Sequence, residues 1–343
     1  MDSPGPTRIK FDAAGWRGMI ARDFTFASVR LASQAVAEHL KRELAEPKSA
    51  IHGRLPKVVI AHDCRFLGPQ FAQAAAEILA ANGLTCLLCE GGTPTGALAL
   101  AIGKRQAIGG INIGAGHDPP EYSGFTFCGP DGAGATPEAA HRLESAVVRL
   151  QKENWSFPAV VIGTFQARTM DPRPGYFQEL ERRVNFDALK KARLKIAVDL
   201  MHGCGRGYLD ELLGKAGARL TIFHNESDAF FGGQAPEAST ERLKEMRQAV
   251  GSSRAQLGLA VDGGAAHAAV VDQDGAWLTP GQIQALTVYQ LAKHRGWTGP
   301  AARAVAEKDG ILACLLMAEL VATEGKSPGK ILQQLAGRTG RIP

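Results

Sequence analysis

Short apolar runs and longer amphipathic runs alternate along most of the chain. Lys57 to Ala61 is a β-branched apolar run, and from Pro69 to Asn82 the residues Phe71, Ala75, Ile78 and Leu79 fall at helical spacing before Gly83. The pattern predicts a strand and then a helix. Leu84 to Cys89 and Gly110 to Ile113 repeat the strand pattern on either side of an Ala-rich helical stretch after Thr95. Strand, helix, strand in that order implies parallel strands with crossover helices. The texture breaks between Asn154 and Pro158, a linker by composition. It resumes with the strand Leu194 to Asp199, a helix from Gly207, the strand Arg219 to Phe223 and the strand Leu257 to Asp262. The charged run Ser239 to Val250 reads as a helix with a solvated face. After Pro280 the pattern is helical, over Ile283 to His294, Asp309 to Thr323 and Pro328 to Leu335. The expectation is an α/β protein with two α/β/α domains, residues 1–153 and 154–280, whose sheets are mixed and mainly parallel. A short helical segment, residues 281–343, follows them. Open parallel sheets place ligands at the carboxyl ends of their strands, so the loops there are where chemistry is expected.

Composition narrows the function. Of 343 residues, 39 are Lys or Arg and 34 Asp or Glu, a formal charge of +5, which is too mild to predict a nucleic-acid partner. Hydrophobic residues at 45% and charged residues at 21% are ordinary for a protein with more than one packed core. The longest apolar run, Ile311 to Ala322, is broken by Glu319 and falls short of the ~20 residues of a membrane span. The first ten residues lack the apolar stretch of a signal peptide, and a cytoplasmic protein is expected. The six cysteines are scattered and read as free thiols. Cys86 and Cys89 form a C-x-x-C, but inside a predicted buried strand and with no second ligand pair at zinc spacing.

Four loops carry a resemblance. Phe11 to Gly18 reads F-D-A-A-G-W-R-G, and Ile113 to Phe125 reads I-G-A-G-H-D-P-P-E-Y-S-G-F. Val198 to Gly207 reads V-D-L-M-H-G-C-G-R-G and is followed by F-G-G-Q-A-P-E from Phe231 to Glu237; Val261 to His267 reads V-D-G-G-A-A-H. With D-C-R-F from Asp63 to Phe66 and T-P-T from Thr93 to Thr95, these resemble in order and spacing the motifs of the α-D-phosphohexomutase superfamily, the phosphoglucomutases and phosphomannomutases. The resemblance implies two of that family's α/β domains in full. Gly296 to Ala306 resembles the start of its third domain and Glu307 to Leu312 that domain's final helix, without the sheet and sugar-reading loop between them. Residues 281–343 are then a helical remnant of the third domain, and the fourth, phosphate-gripping domain is absent.

The family reaction moves a phosphoryl group between a phosphoserine and sugar oxygens, and so requires a hydroxyl nucleophile, a divalent cation and neutralising groups. At the phosphoserine position this chain has Gly116. Of the three metal-binding aspartates it keeps Asp262, with Gly264 and Ala266 at the other two positions and His267 at the loop's Arg; the ancestral Mg²⁺ site is read as lost, and no cofactor is expected. Ala14 replaces the Asp of the opening motif and Thr126 a Lys expected after the turn. His117, Asp118 and Arg17 are remnants of the catalytic constellation. Arg17, Arg65, His117 and Arg206 are phosphate-binding candidates, or else residues kept for the fold. Ser123 is considered as a substitute nucleophile, and His117, Asp118, Asp262 and His267 as a set for a softer metal such as zinc.

Three functions follow as expectations. The first is a catalytically inactive pseudoenzyme acting as a structural or regulatory subunit. Its association with itself or with a protein partner would run through the helices Ile283 to Ala292 and Ile311 to Val321, whose apolar faces would lack the missing sheet. The second is a working mutase with another nucleophile or a complementing partner. The third is a sensor that binds a phosphosugar or another anion weakly without chemistry.

Overall fold

In the first sheet Val58 and Ile60 face one apolar cluster while Val59 and Ala61 face another, the alternation expected of a central strand covered on both sides. A computed structural model describes residues 9–155, 167–296 and 309–339. The chain divides into two compact units, residues 1–93 with 97–172 and residues 94–96 with 173–343. In chain order the first contains β1 (Trp16–Met19), α1 (Phe26–Ala45), β2 (Lys57–His62), α2 (Gly68–Ala81), β3 (Thr85–Gly92), α3 (Thr95–Lys104), β4 (Gly109–Ile113), β5 (Tyr122–Cys128), α4 (Pro137–Lys152) and β6 (Arg168–Met170). The sheet order is β1-β5-β4-β2-β3-β6. Strands β4, β2, β3 and β6 are parallel, while β5 and β1 add antiparallel at one edge. Helices α1, α2 and α4 cover one face and α3 the other.

Strand β6 pairs with β3 through Leu87↔Arg168, so the first unit runs past the expected boundary at residue 153. Cys86 and Cys89 lie in β3 but belong to the two different apolar clusters, because residues three apart on a strand face opposite ways. They are not a ligand pair. Burial pushes both thiols up to about 12, which keeps them as inert core side chains.

The second unit contains α5 (Arg173–Arg183), α6 (Phe186–Ala192), β7 (Lys195–Asp199), α7 (Leu209–Lys215), β8 (Arg219–Phe223), α8 (Lys244–Ser253), β9 (Leu257–Val261), β10 (Ala268–Asp272), α9 (Pro280–Arg295), α10 (Gly310–Glu324) and α11 (Pro328–Thr339). Its sheet order is β10-β9-β7-β8, parallel except for β10. Helix α8 covers one face, through Met246 and Val250.

The C-terminal helices correct an expectation. The apolar side of α10 does not lack a partner: every residue from Gly310 to Val321 is buried, and the helix packs on β9, β10, α6, α7 and α9. A helix apolar on all sides is an interior helix, and this one is the second cover of the β7–β10 sheet. Asp309 caps its N-terminus by accepting from the Leu312 N–H at 3.0 Å, and also accepts the Tyr176 hydroxyl at 2.6 Å. Gly325, at φ 61°, ends it in the left-handed conformation. On the same helix Glu319 is buried and held by Arg295 Nη2 at 2.8 and 2.9 Å. The apolar sides of α10 are therefore covered inside the chain. The third-domain-like stretch Gly296 to Ala306, with Glu307 and Lys308, lies outside the described residues apart from Gly296. Of the linker Asn154 to Pro158 only Asn154 and Trp155 are described. Among the described residues no helix is long and apolar enough to cross a membrane.

Candidate functional site

In the first unit the loop that leaves β4 and returns as β5 is shaped by one side chain. The Arg65 guanidinium, entirely buried, donates to the carbonyls of Gly116 (2.9 Å), Asp118 (2.7 Å), Pro119 (2.6 Å) and Tyr122 (3.0 Å), and Nε donates to Asp63 Oδ2 at 3.0 Å. Arg65 is not a phosphate ligand. Its donors are committed to the loop, which explains why an Arg in D-C-R-F is needed where a Lys would not serve.

Gly116 sits at φ 55°, in the left-handed region. A β-carbon there would lie 3.5 Å from Arg17 Nη2 and 3.6 Å from Nη1, so a side chain at this turn would project onto the Arg17 guanidinium. Arg17, on β1 opposite Gly124, stands partly exposed with Nη1 3.8 Å from Asp118 Oδ2. His117 is half-buried between them in sequence. The structure thus brings Arg17, Gly116 and Asp118 together at one turn with no hydroxyl projecting from it. Ser123 is no substitute: it is fully buried in β5, opposite Gly18, and its hydroxyl has no partner among the described residues. Thr126 donates its hydroxyl to the Ala14 carbonyl at 2.9 Å and so joins two replaced positions into a structural contact.

In the second unit the turn after β9 closes on Asp262. This carboxylate, 2% exposed, accepts from the Ala266 N–H and from His267 Nδ1, both at 2.7 Å, one on each oxygen. Gly264 and Ala266 offer no side-chain ligand. Mg²⁺ wants a near-octahedral shell of hard oxygens, and a single carboxylate engaged on both oxygens does not fit it. The hydrogen bond that His267 donates to Asp262 holds the His267 pKa above the ordinary histidine value, against the opposing effect of partial burial. Protonated His267 is therefore favoured in the folded chain. Its stabilisation is complete below about pH 6.5 and is lost as pH rises through the folded pKa. The expected result is that His267→Asn lowers the melting temperature at about pH 5 and leaves it unchanged near pH 9. A difference that stays constant over this range would exclude the pair as a pH-linked contact.

Arg206 is half-buried and its Nε donates to the Gly203 carbonyl at 3.2 Å, bracing its own loop. Beside it lies a group that the sequence reading did not assemble. Asp199, 1% exposed at the end of β7, accepts from Met201 N–H and from His224 Nδ1, while His202 Nδ1 meets the Glu226 carbonyl at 3.1 Å. The signal available was an acidic residue at the carboxyl end of a parallel strand; the histidine that completes the pair comes from the end of the next strand.

The family patterns for the phosphoglucomutase/phosphomannomutase α/β/α domain I and domain II match residues 8–154 and 174–275. A phosphoglucomutase/phosphomannomutase of Thermococcus kodakarensis is 28% identical over 288 residues, covering 83% of this chain and 60% of that protein. A phosphoglucosamine mutase of Corynebacterium aurimucosum is 28% identical over 280 residues, covering 82% and 60%. The chain thus spans about 60% of the length of these curated relatives. A crystal structure from Thermus thermophilus, described as a phosphomannomutase, superposes with a TM-score of 0.83 at 27% identity, covering 97% of this chain and 84% of that one. Two mixed, mainly parallel sheets, the motif loops at their strand ends and both domain patterns in sequence agree, and the chain belongs to the α-D-phosphohexomutase superfamily, of which it carries domains I and II.

Proposed function

We propose that this chain is a non-catalytic member of its family, with a binding or structural role in place of phosphoryl transfer. The observation that carries the reading is the turn at Gly116: the residue has no side chain to phosphorylate, and the nearby hydroxyl of Ser123 is sealed in the sheet. A phosphoryl acceptor on the protein must be a nucleophile that substrate can reach. The spent carboxylate of Asp262 adds to this, since the reaction also needs its charge neutralised. A role as a structural or regulatory subunit remains part of the proposal, without assigning the C-terminal helices as the contact.

One observation favours an anion-binding role over a purely structural one. Arg17 keeps its guanidinium partly exposed at the place toward which a side chain at residue 116 would point, so a phosphate monoester could lie where a covalent phosphoryl group would otherwise stand. Asp118, 3.8 Å away, opposes this and makes the expected affinity weak.

The test is a coupled mutase assay with glucose 1-phosphate, mannose 1-phosphate and glucosamine 1-phosphate in the presence of Mg²⁺, together with intact mass measurement. The expected outcome is no turnover and no phosphoryl adduct. Gly116→Ser is expected to stay inactive as well, because the metal carboxylates are still missing and a side chain at φ 55° is strained. Turnover by the chain, or by this single variant, would overturn the proposal.

A further inference from the structure

Within the second unit, the carboxyl ends of the adjacent parallel strands β7 and β8 present two histidines side by side. His202 follows β7 and His224 follows β8; their ring centroids are 4.8 Å apart at an angle of 52°. Each ring is anchored through Nδ1. His224 Nδ1 lies 2.9 and 3.0 Å from the two oxygens of Asp199, and His202 Nδ1 lies 3.1 Å from the Glu226 carbonyl. Acceptors at both Nδ1 atoms place the proton there and leave each Nε2 with a lone pair. Neither Nε2 has a hydrogen-bond partner among the described residues.

Three further features distinguish this pair from histidines that merely pack. Both residues hold left-handed backbone, with φ 54° at His202 and φ 49° at His224, a conformation uncommon for side-chain-bearing residues and concentrated at functional sites. Gly232 faces the His202 ring, and a β-carbon there would stand 3.6 Å from both His202 Nε2 and Arg242 Nη1, so the missing side chain leaves a space that this nitrogen and the guanidinium share. Carboxylates flank the pair. Asp199 accepts from His224, and Asp228 is held below the usual range by the N–H groups of Phe230 and Gly232; Arg242, with Nη2 tied to the Phe231 carbonyl, and Arg206, with Nε on the Gly203 carbonyl, set positive charge against them.

We infer that His202 and His224 form a binding site for a borderline transition-metal ion, zinc in the first instance, ligated by the two Nε2 atoms with water completing the shell. A histidine that binds metal through one nitrogen characteristically gives its other N–H to a carboxylate or a backbone carbonyl, and this pair shows one of each. The centroid separation suits two imidazoles meeting one ion at the ~2.0–2.1 Å of Zn–N bonds. Asp199 is the positioning residue: it fixes the tautomer and orientation of His224 without touching the ion. The inference does not depend on whether the chain transfers phosphoryl groups.

The test is calorimetric titration of the metal-free chain with Zn²⁺ near pH 7.5, in parallel with His202→Ala and His224→Ala, and X-ray absorption of the zinc-loaded protein. The expected results are one equivalent of zinc that disappears in either variant, and a shell with two imidazoles. Asp199→Asn is expected to weaken that equivalent by roughly 10- to 100-fold while keeping the stoichiometry. Because Asp199 also supports its own loop, the two alanine variants, above all His224→Ala at the more accessible ring, carry the decision if Asp199→Asn fails to fold. Zinc binding with the same affinity and stoichiometry in both alanine variants, an adventitious ion only, would overturn the assignment. So would absence of heat at micromolar protein or a shell without imidazole.

Discussion

Arg65→Ala is expected to destabilise the first unit by about 3–5 kcal/mol, enough to leave it largely unfolded at 37 °C. The cause is not the loss of one ion pair. The fully buried guanidinium holds four partly buried carbonyls of the loop from Gly116 to Tyr122 and the buried carboxylate of Asp63. Truncation leaves a buried carboxylate uncompensated and several acceptors unpaired at once, each costing more than a formed hydrogen bond contributes. Arg65→Lys should recover little, because one ammonium cannot address carbonyls spread along the loop in the fork geometry that arginine supplies. Denaturant unfolding followed by a probe in the first unit checks this. A loss below about 1 kcal/mol would mean that the loop holds its shape without the clamp.

The second large effect is expected in the second unit. Leu315 is fully buried near the middle of α10, a helix that packs on β9, β10, α6 and α9, and Leu315→Ala should cost about 2–5 kcal/mol through lost burial and the cavity left behind. A free remnant helix would respond differently, since trimming an exposed leucine changes stability by a few tenths of a kcal/mol. The measurement therefore separates a core helix from a docking helix. An unchanged unfolding midpoint would restore the view that this segment awaits a partner.

The strands at the centre of each sheet were legible because they are apolar on both faces: Lys57 to Ala61, Leu194 to Asp199 and Leu257 to Asp262 each fall within a residue of the observed strand. Helix α1, twenty residues long, left no comparable trace. Its buried stripe is made largely of Ala and Ser, with Ser28, Ala32, Ser33, Ala35 and Ala37, and such small residues give little hydrophobic contrast. The three-residue β6 is too short for any period to show. For α10 the pattern was read correctly as apolar, but the partner could not be read, because sequence gives a helix its faces and not its neighbours.

At the candidate site the replaced positions were visible directly, since Gly116, Gly264 and Ala266 stand at fixed places in local motifs. What Arg65 does was not, because its acceptors lie some fifty residues further along the chain and meet it only after the sheet has formed. The same holds for Asp199 and His224, twenty-five residues apart and joined by the parallel pairing of β7 with β8.

The distribution of cysteines through the two units supplies a set of internal clocks. Cys86 is embedded on one side of the first sheet, Cys89 and Cys128 on the other, and Cys314 under the second sheet, while Cys64 is only partly covered. Burial raises the first three to about 12 and Cys314 higher still, so in the folded chain thiolate is scarce and a labelling reagent must wait for each region to open. The order in which these thiols become modified would time the breathing of each layer separately, with no probe introduced and no residue changed.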